Sequence, residues 1–261
     1  MPSLVRDMIA WLRFYLILPI PPIAGESEAE AASRTEPTSP AAVQAIPLAG
    51  AVVGALGGAV LLIAAYAQLP PFIVAVLALG VLVLVTGAAG ESGFAEACRR
   101  LGEHYCPRAG DGRLAQASIA ALVFAVMLRV GTVEVLTAAG ALKAALGLVA
   151  ASAVARSVVQ LIPAFVHEQS ADSAGPAAPG ESANAQFLGI IALTIAAAAI
   201  LPTYGVGAAI GAVVFALLIA ALAEQLAERL GATEESTFRA GSEFAAETAF
   251  LFALLVITRI P

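Results

Sequence analysis

Two acids, Glu91 and Glu96, and two arginines, Arg99 and Arg100, stand close together in TGAAGESGFAEACRR, residues 86–100. This stretch follows FIVAVLALGVLVLV, an almost unbroken apolar run, so its glycines and spaced charges lie at the mouth of a hydrophobic segment. Further on, VARSVVQLIP sets Arg156 about two turns inside the end of another apolar segment. A cation there is costly unless it has a partner or faces a polar cavity. Either its long side chain snorkels to lipid headgroups, or it binds an anionic substrate. Arg129 and Lys143 also fall in apolar runs, and an outer turn expected at 131–134 would let both snorkel to the interface. Cys98 and Cys106, with His104 between them, match no common zinc spacing and have no evident fourth ligand. Free thiols in a reducing compartment are the expectation.

The elements that must position these residues are read from composition. Hydrophobic residues make up 60% of the 261 and charged residues 12%, against roughly 25% charged in an ordinary soluble domain. The fold class is therefore all-α: a polytopic integral membrane helical bundle forming one membrane domain, 1–261. The length allows roughly six to eight spans of about 20 residues. Seven are read, at 46–66, 72–89, 114–130, 135–162, 187–201, 206–222 and 244–257, all helical because lipid offers no partner to an open backbone. The N-terminal MPSLVRDMIAWLRFYLILPIPP spreads Arg6, Asp7 and Arg13 at helical spacing and reads as an amphipathic helix on the membrane surface rather than a signal peptide. Within the first span, GAVVGALGG at 50–58 suits close helix packing.

Four long segments, 22–45, 90–113, 163–186 and 223–243, alternate with short connections and so share one face. That face carries Arg6, Arg13, Arg34, Arg99, Arg100, Arg108, Arg113, Arg229 and Arg239. Positively charged loops stay in the cytoplasm, which places the N-terminus and all long loops there and the chain in the cytoplasmic (inner) membrane as a multi-pass protein. The net charge of −6 and the lack of a basic stripe exclude a nucleic-acid surface. The sequence shows no P-loop, GxGxxG, HExxH or heptad pattern. A transporter would show repeats and a polar pathway, and neither is evident.

Taken in order, LRFYLILPIP, IPLAGAVVG, TGAAGESGFAE, DGRLAQAS, VARSVVQLIPAF and AERLGATEESTFRAGSEFAAETAFL resemble blocks of the cobalamin synthase family, the adenosylcobinamide-GDP ribazoletransferases. The resemblance implies a membrane transferase that joins α-ribazole or its phosphate to adenosylcobinamide-GDP and releases GMP. It also implies Mg²⁺, because a hard ion takes carboxylate oxygens and substrate phosphates together and neutralises charge on the leaving group. The partners it implies are these two substrates and the lipid bilayer, with a homo-oligomer left open.

Carried over position by position, the resemblance implies Glu96 and Asp111 as catalytic residues and Arg113 and Arg156 as phosphate-binding residues. It implies Glu91, Glu96, Asp111, Glu234 and Glu235 as metal ligands. The acidic motifs are eroded. The family's His-x-Asp-Gly-x-Ala-Asp-x-x-Asp reads GESGFAEACR here, so Ser92, Glu96 and Arg99 stand at its aspartate positions, and Ser236 stands where a later aspartate is usual. A hydroxyl is a poorer Mg²⁺ ligand than a carboxylate, so a weakened metal site is expected. The alternative is a non-catalytic membrane paralogue that holds a corrinoid or a partner protein.

Overall fold

The computed structural model describes residues 3–23, 26, 37, 42–108, 110–170, 194, 199–231 and 236–259, with backbone alone at 161–170. Eight helices organise them: α1 (Ser3–Tyr15), α2 (Ile46–Tyr66), α3 (Pro71–Thr86), α4 (Ala89–Tyr105), α5 (Asp111–Ala139), α6 (Ala141–Ser170), α7 (Val206–Leu230) and α8 (Ser236–Arg259). Five of the helical segments are long and apolar enough to cross a membrane, and the bent pair α3–α4 makes a sixth candidate. The chain is an all-helical, multi-pass membrane bundle, as its composition requires. Of the seven spans expected, the one at 187–201 falls largely outside the described residues.

Helix α6 is the axis of the bundle, touching α2, α5, α7 and α8. Its AALGLVAASAVARSVV stretch is buried on nearly every side. Small residues make this closeness attainable, because in lipid helices associate through packing. On α2, Gly50, Gly54 and Gly58 recur every fourth residue and so share one face. A Cβ on Gly50 would stand 2.6 Å from the Ser152 carbonyl oxygen, and one on Gly54 2.6 Å from that of Leu148. The glycine stripe is thus the seam between α2 and α6.

Three sequence expectations are corrected. The turn expected at 131–134 does not form, and α5 runs through it to Ala139, ending at Gly140. A lone Gly131 costs a helix only about 1 kcal/mol relative to alanine. The hydroxyl of Thr132 donates to the Leu128 carbonyl 2.7 Å away, so no local group breaks the helix. The segment 90–113 is not an open loop, since α4 occupies Ala89–Tyr105. Its charges form an i,i+3 and i,i+4 set, Glu96 with Arg99 and Arg100 and Arg99 with Glu103, which supports a helix surface. Finally, α7 and α8 extend into 223–243 and leave a connection only over 231–235.

The joint between α3 and α4 bends by 83°. Gly87 and Ala88 both adopt left-handed backbone there, at φ 66° and 55°, a conformation cheap for glycine and unusual for alanine. Helix α4 therefore turns across one end of the bundle and lies against α8. The two cross at Gly93 and Gly241, where a Cβ on Gly93 would stand 2.2 Å from the Thr237 carbonyl oxygen. Helix α1 is less superficial than a surface helix would be. Trp11, Leu12 and Tyr15 are buried, and the Trp11 indole N–H donates to the Ala42 carbonyl at 2.7 Å.

Candidate functional site

A cavity of about 270 Å³ opens where α4 crosses the bundle. Its lining includes Tyr15 of α1, Glu91 and Ser92 of α4, Arg129 of α5 and Ser152 and Arg156 of α6, with Ser236, Thr237, Arg239, Glu243, Phe244 and Glu247 of α8. Phe14, Val53 and Leu82 supply apolar wall. The lining thus holds three arginines and three glutamates, in a chain where only 12% of residues are charged. Charge inside a membrane bundle marks function more often than packing.

Arg156 is buried, at 7% exposure, and its guanidinium lies 4.9 Å over the Tyr15 ring. Its Nη1 donates to the Ser152 carbonyl at 3.1 Å, and its Nε lies 3.9 Å from Glu243 Oε2. That separation is too long for a hydrogen bond, and among the described residues the Nε has no hydrogen-bond partner. A guanidinium carries five donors in a planar fork that matches phosphate oxygens. Arg156 therefore faces a polar cavity with donor capacity to spare.

Arg129 does not snorkel. Because α5 continues to Ala139, the residue sits about 15 Å from that helix end. It turns inward instead, with Nη2 2.8 Å from Glu247 Oε1 and its guanidinium 5.2 Å over the Phe244 ring. The Ser152 hydroxyl donates to the same Glu247 oxygen at 2.6 Å. Sequence reasoning passed over Glu243, Glu247 and Ser152. The available signal was two acids one turn apart in the otherwise apolar SEFAAETAFLFALL.

The residues expected from sequence are distributed unevenly. Glu91 and Arg156 line the cavity, and so do Ser92 and Ser236, two of the eroded acidic positions. Glu96 is elsewhere on α4, held by Arg99 Nε at 2.8 Å and Arg100 Nε at 2.8 Å. The Arg99 hydrogen bonds first, then that from Arg100, hold its carboxyl down to about 2. Arg99, at the third eroded position, also bonds Glu103. Asp111 and Arg113 stand exposed in the first turn of α5 and are not among the lining residues. Glu234 and Glu235 lie outside the described residues, next to Ser236.

These placements bear on Mg²⁺. The ion is commonly held by one or two protein carboxylates together with substrate phosphates and water. Glu91, on the cavity wall, fits that role. Glu96 has its oxygens taken by arginines. Among the described residues no group of three His, Cys, Asp or Glu converges on one point, so a closed protein cage for the ion is not built from them. His104 and Cys106 are exposed on the far end of α4, and burial pushes the Cys98 thiol up.

Comparison with known proteins adds ancestry. A family described as cobalamin-5-phosphate synthase matches residues 7–234. An adenosylcobinamide-GDP ribazoletransferase of Azorhizobium caulinodans is 33% identical over 214 residues, 79% of each chain. One of Xanthobacter autotrophicus is 40% identical over 149 residues, 55% of each chain, and one of Brucella anthropi 34% over 165 residues, 59% of each. No solved structure matches. The family match runs from within α1 to just short of α8 and takes in the cavity's α4, α5 and α6 walls, and the chain belongs to the cobalamin-5-phosphate synthase family.

Proposed function

We propose that this chain is an adenosylcobinamide-GDP ribazoletransferase, joining α-ribazole or its phosphate to the cobinamide of adenosylcobinamide-GDP with release of GMP. The observation that carries this reading is the arginine-lined cavity at one end of the bundle, in a chain of this family. The donor carries a diphosphate, and Arg156 holds a buried Nε without a hydrogen-bond partner among the described residues. Arg239 lines the same space. Charge–charge attraction is far stronger in a site walled by protein and lipid than in water. Arg129 is committed to Glu247 and acts as a fixed floor. The apolar wall of Phe14, Val53 and Leu82 suits the uncharged faces of the substrates.

Magnesium, when bound, neutralises charge on the diphosphate and on the departing GMP. Glu91, on the cavity wall, would hold it. Glu96 then acts indirectly, by fixing Arg99 and Arg100 on α4, while Asp111 and Arg113 meet the substrate only at the outer rim. The arginine-rich segments support a cavity mouth on the cytoplasmic side of the inner membrane. This is where nucleotide substrates are available.

The test is GMP release by the full-length protein in nanodiscs, on adding α-ribazole to adenosylcobinamide-GDP, across a Mg²⁺ titration. Release that depends on α-ribazole and falls after Arg156→Gln supports the reading. Corrinoid binding without GMP release would instead make the chain a non-catalytic holder.

A further inference from the structure

Two carboxylates project from α8 into the cavity one turn apart, and they are held very differently. Glu247 is pinned, with Arg129 at 2.8 Å and the Ser152 hydroxyl at 2.6 Å on the same oxygen. Glu243 is also largely enclosed, its side chain 12% exposed, but loosely held. Its neighbours are the Tyr15 hydroxyl, donating to Oε1 at 3.4 Å, and Arg156 Nε, 3.9 Å from Oε2. Neither of these two contacts is as short as either contact of Glu247.

We propose that Glu243 is the general base of the transfer reaction, a role that rests on the reading of the cavity as the ribazoletransferase site. The nucleophile is a hydroxyl of the ribazole ribose, a weak nucleophile until its proton has somewhere to go. Its oxygen forms a bond to the cobinamide-side phosphorus of the diphosphate. The bond from that phosphorus to the bridging oxygen breaks, and GMP leaves with the electron pair. The hydroxyl proton passes to a Glu243 carboxylate oxygen and is later returned to water. No oxidation or reduction is involved.

The cavity links this proton acceptance to donor binding. Arg156 Nε faces Glu243 Oε2 at 3.9 Å. A bound diphosphate draws that guanidinium toward its own oxygens, because charged phosphate accepts from the arginine fork better than a carboxylate at 3.9 Å does. Glu243 is then left with its nearest cation engaged elsewhere and its carboxylate open to an incoming hydroxyl. The base is thus freed by the arrival of the group it serves. Glu247 cannot take this part, since Arg129 and the Ser152 hydroxyl already engage its Oε1. The other charged groups around Glu243 are Glu91 from α4, Arg129 from α5, and Arg239 and Glu247 from its own helix.

The test compares Glu243→Gln, Glu243→Asp and wild-type protein in nanodiscs, measuring adenosylcobinamide-GDP binding, kcat and the pH profile of kcat. The expected result is donor binding within threefold of wild type for Glu243→Gln. Its kcat falls about 10²–10⁴-fold, the usual contribution of general acid–base catalysis, and the acidic limb of the profile disappears. Glu243→Asp, with the charge kept but drawn back by a methylene, retains the limb at reduced kcat and near-normal KM. Wild-type kcat with an unchanged acidic limb in Glu243→Gln overturns the proposal. Should that variant not fold, an unaltered kcat in Glu243→Asp overturns it equally. Failure of the ribazoletransferase reading itself is separate, and shows as no α-ribazole-dependent GMP release by the wild type.

Discussion

The Arg129–Glu247 pair gives a demanding test of the bundle. Both side chains are under a tenth exposed, 2.8 Å apart, on α5 and α8 near the middle of each helix. Glu247→Leu deletes the anion, leaves Arg129 without its partner, and takes the acceptor from the Ser152 hydroxyl. Breaking a buried pair by removing one partner costs about 3–5 kcal/mol, because an uncompensated charge stays behind. Arg129→Met strands Glu247 in the same way, though Ser152 still donates to it, so its cost should fall at the lower end. The double variant removes both charges and is expected to lie within about 1 kcal/mol of wild type, since apolar replacements of buried pairs are often neutral. The coupling energy in the double-mutant cycle is therefore about 5 kcal/mol or more in magnitude, well above the roughly 0.5 kcal/mol scatter of independent sites. The assay is reversible unfolding of the three variants and wild type in mixed detergent–SDS micelles. Singles that each cost under about 1 kcal/mol, or a coupling near zero, would refute the inward-facing ion pair and restore the snorkelling Arg129.

Gly93→Ala should destabilise the fold by at least 2 kcal/mol by overpacking, since its Cβ would meet the Thr237 carbonyl at 2.2 Å; wild-type thermal stability in detergent would deny the α4–α8 crossing. Arg156→Gln should weaken adenosylcobinamide-GDP binding by about 1.5–3 kcal/mol, the worth of hydrogen bonds to charged groups, with similar folded yield; unchanged titration binding would return the residue to lipid snorkelling. Ser92→Asp with Ser236→Asp should tighten Mg²⁺ in calorimetry, as both line the cavity, whereas adding Arg99→Asp should gain nothing further because Arg99 serves Glu96 and Glu103. The Glu96 carboxyl is held down to about 2 by Arg99 and then Arg100, so its contribution is present above the usual carboxylate range and lost as pH falls from about 4.5 toward 2. For i,i+4 pairs on one helix that loss is about 0.3–0.5 kcal/mol each, and helicity of a peptide spanning 89–105 should fall over the same window. An impermeant maleimide should label exposed Cys106 from the cytoplasmic side of membrane vesicles and Cys98 much more slowly, since burial raises its thiol; labelling of Cys106 from outside intact cells would reverse the proposed orientation.

Composition and hydropathy alone settle the class of molecule. Long apolar runs and scarce charge admit only a helical membrane bundle, because the backbone must satisfy itself within each segment when lipid cannot. The ordered blocks from LRFYLILPIP onward also carried the family, and the glycine stripe at 50–58 announced a tight seam. Arg156 was legible as costly, since a cation in an apolar run demands an explanation wherever the run folds. What the sequence could not supply was the other half of each polar contact. Arg129 looked peripheral while a turn was expected at 131–134, and only the uninterrupted α5 moved it to the interior. Glu247 lies 118 residues along the chain from Arg129, and no local pattern links them. The charges of α4 read as a solvated loop because apolar residues there are few, and their i,i+4 pairing became visible only in the helix. Glu96 and Asp111 drew attention through residue type and motif position, yet α4 directs Glu91 and Ser92 at the cavity while Glu96 is held by arginines. Periodicity and hydropathy are local and survive in one dimension. Which carboxylate meets which arginine depends on helix crossings set by small residues such as Gly93 and Gly241, and those distances exist only in the packed bundle.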